Sequence, residues 1–346
     1  MRVLQVGAGV WGSSWAQLIA GSGDADLAGV VDPDPDALET TGELARVSPD
    51  RRFPTLADAL ARVEADAAVV AVPPALHVPV AIEALEAGLH CLVEKPFALL
   101  LAEAEDAVRR AEDLGRILVV NQDHRHTRGA RTVRRLVSEG AVGPVAAVRL
   151  RFAREPNLRP FHLGLAEPLL LDMAVHHFDQ VRALGFEIDR VWARTFNPPW
   201  SPFAGNVAAD VLLEANDART SISYAGTWAP RGRRTSWTGE WELEGPQGAV
   251  VWDGDRVEIV SGEEAGVRRR LKRALGRRLP LDPVSREGRS GSLAELAAAV
   301  AGGGRPETSG ADNLASLAVT LAAVESAGRG EPVDVASART RAGSAS

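Results

Sequence analysis

Residues 3–12 read Val3-Leu4-Gln5-Val6-Gly7-Ala8-Gly9-Val10-Trp11-Gly12, and this stretch decides the fold of the N-terminal part of the chain. A short apolar run ends at a GxGxxG pattern, which then opens a segment with helical spacing. In a strand–turn–helix unit, the first glycine makes the tight turn and the third lets helix and strand pack closely. The second glycine lets the backbone approach a diphosphate, which is held on the helix N-terminus. The pattern therefore predicts a dinucleotide-binding loop that includes Gly7, Gly9 and Gly12.

From this loop to residue 120, short apolar runs alternate with longer segments of helical spacing. The apolar runs are rich in valine and nearly continuous, which is typical of strands buried on both faces of a parallel sheet. They are Val3–Val6, Leu27–Val31, Ala67–Val72, His90–Val93 and Ile117–Val120. An alternation of this length predicts an α/β domain over residues 1–121, a Rossmann domain with a doubly wound parallel sheet.

The second half of the chain predicts a different architecture. Several alternating or apolar runs lie between residues 146 and 260, separated by turn residues such as Asn216-Asp217. Two alanine- and leucine-rich helices close the chain, so we expect an α/β domain with an open, mainly antiparallel sheet over residues 122–346. Six of the eight tryptophans lie between Trp192 and Trp252. We interpret them as packing one face of this sheet on helices and the other face on a partner subunit.

The overall composition excludes several classes of protein. The 346 residues carry a net charge of −7 and are 45% hydrophobic, which is typical of a globular chain of about two domains. An acidic chain has no overall attraction for nucleic acid or anionic membranes, and no apolar run reaches the length of a membrane helix. Gly7 interrupts the N-terminus too early for a signal-peptide core, so we expect a cytoplasmic protein. Cys91 is the only cysteine, which excludes disulfides and cysteine-based zinc sites, and we predict no metal site.

An acidic residue stands where a dinucleotide-binding domain needs one. Asp32 follows the second apolar run, twenty residues beyond Gly12. A carboxylate at this position accepts hydrogen bonds from the ribose hydroxyls of adenosine. It also repels a 2′-phosphate, and Pro33-Asp34 offers no arginine or serine to hold one, so NAD is favoured over NADP. The alternative is an ordinary glycine turn with a solvated Asp32.

Lysine is rare in this chain, since Lys95 and Lys272 are the only two among 39 basic residues. Lys95 follows the apolar run His90–Val93 and precedes Pro96, which biases it away from helix. It is therefore expected at the carboxyl edge of the sheet, where ligands bind in this architecture. A lysine there can donate hydrogen bonds to a substrate oxygen and stabilise an alkoxide. The alternative is a surface lysine paired with Glu94.

A second group of polar residues falls in the segment Leu171–Asp179. On an α-helix of about 100° per residue, Asp172, His176 and Asp179 share one side. A histidine between two carboxylates can accept a proton and be stabilised as imidazolium. His177 projects toward the apolar side of the same helix, so we expect it to be structural. The alternative is a cluster of ions on a helix surface.

Together these motifs are similar to those of a known family, the glucose–fructose oxidoreductase and inositol dehydrogenase (Gfo/Idh/MocA) family. They are the GxGxxG loop, Asp32, Val72-Pro73-Pro74 with His77, Glu94-Lys95-Pro96 and Asp172-x-x-x-His176. The resemblance extends over nearly the whole chain. It implies a Rossmann domain followed by an open sheet that commonly forms oligomer contacts, here in a homo-dimer or homo-tetramer. It also implies reversible hydride transfer between NAD(P) and a hydroxyl or ketone of a sugar, cyclitol or related small molecule.

The resemblance further implies roles for individual residues. Lys95 is expected to orient and polarise the reacting oxygen. His176 is expected to be the general base in oxidation and the general acid in reduction, with Asp172 supporting it. Cofactor contacts are expected at Gly7, Gly9, Val10, Trp11, Gly12, Asp32, Pro73, His77, Glu94, Lys95 and either Asn121 or Gln122, of which we select Gln122.

Two segments depart from the family pattern. Ala166-Glu167-Pro168 stands where many members carry glycines, and His124-Arg125-His126-Thr127 replaces an arginine followed by an aromatic residue. Both segments are expected to border the substrate pocket, so the substrate of a known member does not carry over. His124 and Arg125 are candidate substrate contacts, and the alternative is that they are solvated loop residues.

Two other functions share the fold of this family. An NAD-dependent glycosidase oxidises its substrate transiently with a bound cofactor, and a dinucleotide-sensing regulator needs no catalysis. Retention of Lys95, Asp172 and His176 argues against the regulator, because a sensor has no need of a proton-transfer pair. The dense basic stretch Arg268–Arg278 lacks interleaved aromatic residues, so we interpret it as a solvated insertion rather than a nucleic-acid site.

Overall fold

The computed structural model describes residues 1–158, 162, 164–261 and 277–337, and these form two compact units. Unit 1 consists of Met1–Asp123 and Arg286–Leu317. Within the described part of the chain, unit 2 consists of His124–Ser285 and residues 318–337. The first boundary falls close to the predicted one at residue 121, but the sequence places Arg286–Leu317 in the second domain.

The strands of unit 1 are β1 (Arg2–Val6), β2 (Asp26–Val31), β3 (Arg52–Phe53), β4 (Ala67–Val70), β5 (His90–Val93) and β6 (Leu118–Val120). They form one parallel sheet in the order β3-β2-β1-β4-β5-β6. The connecting helices are α1 (Val10–Ala20), α2 (Pro35–Leu44), α3 (Leu56–Leu60), α4 (His77–Glu86) and α5 (Leu101–Asp113). This topology confirms the predicted doubly wound Rossmann domain. The sequence does not predict β3, whose two residues are too few for a strand pattern.

The core of unit 1 explains why its strands have continuous apolar runs. Val3 and Leu4 in β1 are fully buried, and so are all four residues of β4. A central strand with helices on both faces of the sheet leaves no side of the strand for polar residues.

The segment Arg286–Leu317 is joined to the rest of unit 1 by apolar packing. It carries the helix Arg289–Val300, which is labelled α8 because two helices of unit 2 precede it in the chain. Leu293 and Leu296 of α8 are fully buried in one cluster with Val3 and Trp15. The C-terminal segment is therefore part of the core of the N-terminal unit.

The same segment also covers the outer edge of β6. The backbone N–H of Val120 donates to the carbonyl oxygen of Thr308 at 2.9 Å, and Val119 forms an antiparallel bridge with Ser309. An edge strand presents unpaired backbone groups, and these contacts satisfy some of them.

The strands of unit 2 are β7 (Ala147–Ala153), β8 (Ile188–Phe196), β9 (Ala208–Ala215), β10 (Thr220–Thr227), β11 (Glu240–Gly245), β12 (Gly248–Asp253), β13 (Arg256–Ser261), β14 (Arg277–Arg278) and β15 (Val333–Asp334). They form a nine-stranded sheet in the order β14-β13-β12-β11-β7-β10-β9-β8-β15. Among the described strands, β7 and β10 pair in parallel and the other neighbours are antiparallel. The predicted open, mainly antiparallel sheet is thus confirmed.

The helices of unit 2 are α6 (Arg128–Ser138), α7 (Val175–Ala183) and the greater part of α9 (Gly310–Arg329), which begins in unit 1. A π-helical segment, Leu169–Ala174, leads directly into α7. Within the part of the chain that the structure describes, no helix is both long enough and apolar enough to cross a bilayer.

The nine-stranded sheet has one buried face and one exposed face. Residues along β9 alternate regularly between buried and exposed positions. Trp228, Trp241 and Trp252 are at most 2% exposed, whereas Trp192 on β8 is 39% exposed. The predicted packing of one face on the protein core is confirmed, and a partner subunit on the other face stays a prediction. Of the basic stretch Arg268–Arg278, residues 268–276 lie outside the described part of the chain.

Candidate active site

In unit 1, the residues with predicted site roles follow the carboxyl ends of five parallel strands. Gly7 follows β1, Asp32 follows β2, Glu94 follows β5 and Asn121 follows β6, while Pro73 lies just beyond β4. Strand order reverses between β1 and β4, and the crevice at such a point is where ligands bind in open α/β sheets.

Two glycines of the loop after β1 are required by close backbone approach. Gly7 has a φ of +95°, and a Cβ atom there would lie 2.4 Å from the carbonyl oxygen of Ala71. A Cβ atom on Gly12 would lie 1.9 Å from the carbonyl oxygen of Gly7. Both contacts are far inside van der Waals distance, so the tight turn and the close helix packing each demand glycine.

The remaining glycine of the loop faces open space. Gly9 is the N-cap of α1, no side chain among the described residues caps this helix, and its first turn holds no acidic residue. A Cβ atom on Gly9 would meet no atom within 4 Å, and Val10 is 82% exposed. An uncapped helix N-terminus with room in front of it fits the diphosphate of a dinucleotide, whose charge it favours.

Asp32 is half-buried at the end of β2 and is held by two backbone donors. The N–H of Ala8 donates to Oδ2 at 2.6 Å, and the N–H of Asp34 donates to Oδ1 at 2.9 Å. Each carboxylate oxygen can accept a further hydrogen bond, so the pair remains able to receive ribose hydroxyls. The first of these bonds also fixes the glycine loop to the second strand.

His77 ties together the loops that follow β4 and β5. Its Nδ1 lies 2.7 Å from the carbonyl oxygen of Pro96, and its Nε2 lies 3.0 Å from that of Val72. The ring is only 1% exposed. The structure therefore gives His77 a bridging position that supports Pro73 and Lys95, and a direct cofactor contact of its ring stays a prediction.

Glu94 is 3% exposed, and its carboxylate accepts several hydrogen bonds. Its Oε1 accepts from the indole N–H groups of Trp11 and Trp15, both at 2.6 Å, and from the side-chain amide of Asn121 at 2.9 Å. Its Oε2 accepts from the backbone N–H of Lys95 at 3.2 Å. Burial raises the pKa of Glu94, and the positive charge of Lys95 opposes that shift. Sequence analysis missed Trp15, since an indole inside a helix gives no signal of a distant carboxylate partner.

The residues after β6 are both buried, Asn121 and Gln122 each being 1% exposed. Asn121 donates to Glu94, while its amide oxygen has no hydrogen-bond partner among the described residues. A buried orphan acceptor beside the dinucleotide loop fits a polar group of a cofactor, such as the carboxamide of nicotinamide. The selection of Gln122 over Asn121 as the cofactor contact stays a prediction.

The helix that carries the predicted catalytic histidine is not a regular α-helix. Asp172 lies in the π-helical segment and His176 in α7, so the angle between them is not that of the predicted α-helix. His162 Nε2 donates to Oδ2 of Asp172 at 3.2 Å. Asp179 is fully buried, and its carboxylate accepts from the guanidinium of Arg125 at 2.7 and 2.5 Å. Asp172 and Asp179 thus each pair with a residue of another element, and their predicted position on either side of His176 stays a prediction.

His176 is 6% exposed and stacks on His124 with ring centroids 4.4 Å apart and planes inclined by 12°. The structure thus brings together two of the predicted site residues of unit 2. Arg125, the other candidate substrate contact, is 5% exposed, and its guanidinium forms a salt bridge with Asp179. Because Asp179 lies on α7, this salt bridge ties Arg125 to that helix.

His177 is fully buried, as its predicted apolar-facing position requires. Its ring lies 4.9 Å from that of Phe152 and 5.5 Å from that of Tyr224. Burial is the main reason that its pKa is lowered to about 3, and nearby His124 adds to the shift. A histidine that stays neutral at all ordinary pH values suits a structural role.

Two family models match the chain. The model of an oxidoreductase family with an NAD-binding Rossmann fold matches residues 1–122, and the model of the Gfo/Idh/MocA C-terminal domain matches residues 130–251. A D-apiose dehydrogenase of Paraburkholderia graminis is 26% identical over 92% of this chain and 85% of its own length. A 1,5-anhydro-D-fructose reductase of Ensifer adhaerens is 27% identical over 79% of this chain and 80% of its own length.

Solved structures show the same fold. An oxidoreductase of Agrobacterium radiobacter, in complex with NAD⁺, L-tartaric acid and magnesium, matches with a TM-score of 0.82 at 22% identity, covering 97% of this chain and 99% of its own. An aldose–aldose oxidoreductase of Caulobacter crescentus matches with a TM-score of 0.83 at 21% identity, covering 96% and 98%. The two family models account for most of the sequence, and the chain therefore belongs to the Gfo/Idh/MocA family of NAD-binding oxidoreductases.

Proposed function

We propose that this protein transfers a hydride reversibly between NAD and a hydroxyl or ketone group of a sugar, a cyclitol or a sugar derivative. The observation that carries the proposal is the set of residues at the carboxyl edge of the parallel sheet: an open helix N-terminus at Gly9, an acid at Asp32 and a lysine at Lys95. The substrate class is supported by the two relatives named above, a D-apiose dehydrogenase and a 1,5-anhydro-D-fructose reductase, whose names indicate action on sugars. Neither of them is a glycosidase or a regulator.

We assign the cofactor to the loop and strand ends of unit 1. The N–H groups at the start of α1 would hold the diphosphate, Asp32 would receive the ribose hydroxyls, and Asn121 or Gln122 would contact the nicotinamide side. NAD is preferred to NADP because the Asp32 carboxylate repels a 2′-phosphate and Pro33-Asp34 carries no cationic side chain to offset it.

The reaction needs a group that moves a proton and a group that holds the reacting oxygen. In oxidation, the alcohol loses a hydride from carbon and a proton from its hydroxyl. Bound NAD supplies the hydride acceptor, and a ring nitrogen of His176 accepts the proton. The ammonium group of Lys95 donates a hydrogen bond to the same oxygen and stabilises the negative charge that develops there. Asp172 supports His176, as the resemblance implies, and its carboxylate also accepts a hydrogen bond from His162.

The first experiment is a spectrum of the purified protein before and after denaturation, followed by an assay with NAD and a panel that includes D-apiose and myo-inositol. A free cofactor site with NADH formation on one of these compounds supports the proposal. Retained cofactor without net NADH formation directs the assay to glycosides instead and contradicts it.

Variants then test the assigned residues. Lys95→Met and His176→Gln should each lower turnover by at least about 10²-fold while calorimetric titration shows that NADH still binds. Arg109→Ala is the matched control, since it removes a cation from the exposed surface of unit 1, where its side chain is 67% exposed. Unchanged turnover in either active-site variant would remove that residue from the mechanism.

We also propose that the protein is a homo-oligomer that associates through the exposed face of the nine-stranded sheet. Trp192, Phe196 and Leu212 on this face are 39%, 42% and 49% exposed, and Trp192 is the register partner of Leu212. Neighbouring large apolar side chains at the surface mark an interaction site.

A further inference from the structure

One buried carboxylate touches the dinucleotide loop and the proposed catalytic lysine at the same time. Oε1 of Glu94 accepts from Trp11, Trp15 and Asn121, and Oε2 accepts from the backbone N–H of Lys95. A carboxylate that is 3% exposed is tolerated only where such donors replace its hydration. The four donors come from α1, from the end of β6 and from the residue that follows Glu94 itself.

A residue of α8 also holds the two tryptophans of this network, Trp11 and Trp15, in place. Trp11 occupies the fifth position of the GxGxxG loop, and Trp15 lies one turn further along α1. The guanidinium of Arg289 lies 4.5 Å from the ring centroid of Trp11 and 5.1 Å from that of Trp15. Its Nη2 also donates to Oγ of Ser14 at 2.8 Å. A cation over both rings and an anion at both indole N–H groups together set the orientation of Trp11.

We propose that Glu94 is a positioning residue that couples the seating of NAD in the phosphate loop to the placement of Lys95. This inference rests on the proposed function and deepens it, because it states how the cofactor and the lysine influence each other. A diphosphate bound on the N-terminus of α1 would shift the loop and with it Trp11, and so would change the bond from Trp11 to Oε1. The carboxylate would pass that change through Oε2 to the backbone of Lys95.

The inference distinguishes Glu94 from a residue that only fills space or only binds cofactor. An apolar side chain would fill the same volume without the cost of burying a charge. A pure cofactor contact would affect NAD affinity but would have no effect on turnover once NAD is saturating. If Glu94 couples the two, a change at Trp11 should affect both NAD affinity and turnover at saturating NAD. Trp11 is the residue to change because its position in the loop places it on the cofactor side of the network.

The test uses Trp11→Phe and Glu94→Gln in the full chain. Trp11→Phe keeps an aromatic ring beneath Arg289 but removes the indole N–H that donates to Glu94, at the cost of a smaller ring. We expect its dissociation constant for NADH, measured by calorimetric titration, to rise about tenfold, which corresponds to about 1.4 kcal/mol. We expect turnover at saturating NAD, on the substrate found in the panel, to fall by at least about threefold, because a small displacement of Lys95 is costly to the reaction. Glu94→Gln should act in the same direction, and the double variant should show less than the product of the two single effects.

Trp252→Phe is the matched control. It removes a buried indole donor, whose bond to the carbonyl oxygen of Gly254 is 2.7 Å long, from unit 2. This variant should leave NADH affinity and saturated turnover unchanged, and thermal unfolding should show all variants to be folded.

Three outcomes overturn the inference. Trp11→Phe with weaker NADH binding and unchanged saturated turnover would show that the loop and Lys95 are not coupled. Effects of Trp11→Phe and Glu94→Gln that multiply in the double variant would show that they act independently. Failure of the wild-type protein to bind NADH at all would overturn the proposed function first, and the inference with it.

Discussion

Replacing His177 with phenylalanine should remove a large part of the pH dependence of the stability of unit 2. His177 is fully buried, and its pKa in the folded protein is lowered to about 3 from an ordinary value of 6.5, mainly by that burial. Its Nε2 lies 3.3 Å from the carbonyl oxygen of Trp237, to which the neutral ring donates. Phenylalanine occupies a similar volume and has no titrating group.

The magnitude follows from the two pKa values. Between about pH 6.5 and pH 3 the unfolded chain binds a proton at His177 that the folded chain does not bind. Stability contributed by the neutral ring is therefore fully present above pH 6.5 and is lost as the pH falls through this window. The loss is about 2 kcal/mol at pH 5 relative to pH 8, and about 4 kcal/mol by pH 3. The loss of unfolding free energy at pH 5 depends mainly on the pKa of His177 in the unfolded chain. That pH is therefore the best one at which to compare the wild type with His177→Phe.

Urea denaturation at several pH values between 8 and 5 provides the assay. The free energy of unfolding of the wild type should fall more steeply toward pH 5 than that of His177→Phe, by about 2 kcal/mol. Phe178→Leu is the control, since Phe178 is fully buried beside His177 but does not titrate. That variant should be less stable at every pH and keep the slope of the wild type. Parallel slopes for the wild type and His177→Phe would refute the reasoning.

The other predictions concern the cofactor loop and the sheet face. Gly9→Ala should leave the melting temperature unchanged and weaken NADH binding by at least about tenfold in calorimetric titration, whereas Gly12→Ala should also lower the melting temperature because of its contact with Gly7. Asp32→Ala should lower the ratio of NAD to NADP affinity by about tenfold, and an unchanged ratio would mean that the ribose is recognised elsewhere. Leu212→Glu should lower the mass seen in sedimentation, and an unchanged mass would exclude the sheet face as the interface.

Much of unit 1 is predictable because its signals are local. The apolar runs of β1 and β5 and the glycines after β1 carry their meaning in a few consecutive residues. The position of Lys95 after a buried strand follows in the same way from the strand and the proline that flank it.

The pairs of polar side chains are less predictable because they join residues far apart in sequence. Asp179 shares a helix with His176, so a regular helix places them together, yet its carboxylate pairs with Arg125. The π-helical segment at Asp172 also changes the angles on which such a projection depends. Neither the pairing of Asp179 with Arg125 nor the π-helical segment at Asp172 can be recognised from the neighbouring residues in the sequence.

The covered edge of β6 has a consequence for the order in which the nascent chain can fold. Residues 1–123 leave the ribosome with the edge of β6 bare and without the leucines of α8 that complete their core. At about 5 to 20 residues per second, synthesis needs roughly another 10 to 40 s before Thr308 and Ser309 emerge. Unit 1 is therefore the first unit to be synthesised, but it cannot complete its fold until most of unit 2 has also been made. A fragment that stops at residue 123 should expose apolar surface and aggregate, and it should become soluble when Arg286–Leu317 is supplied as a separate chain.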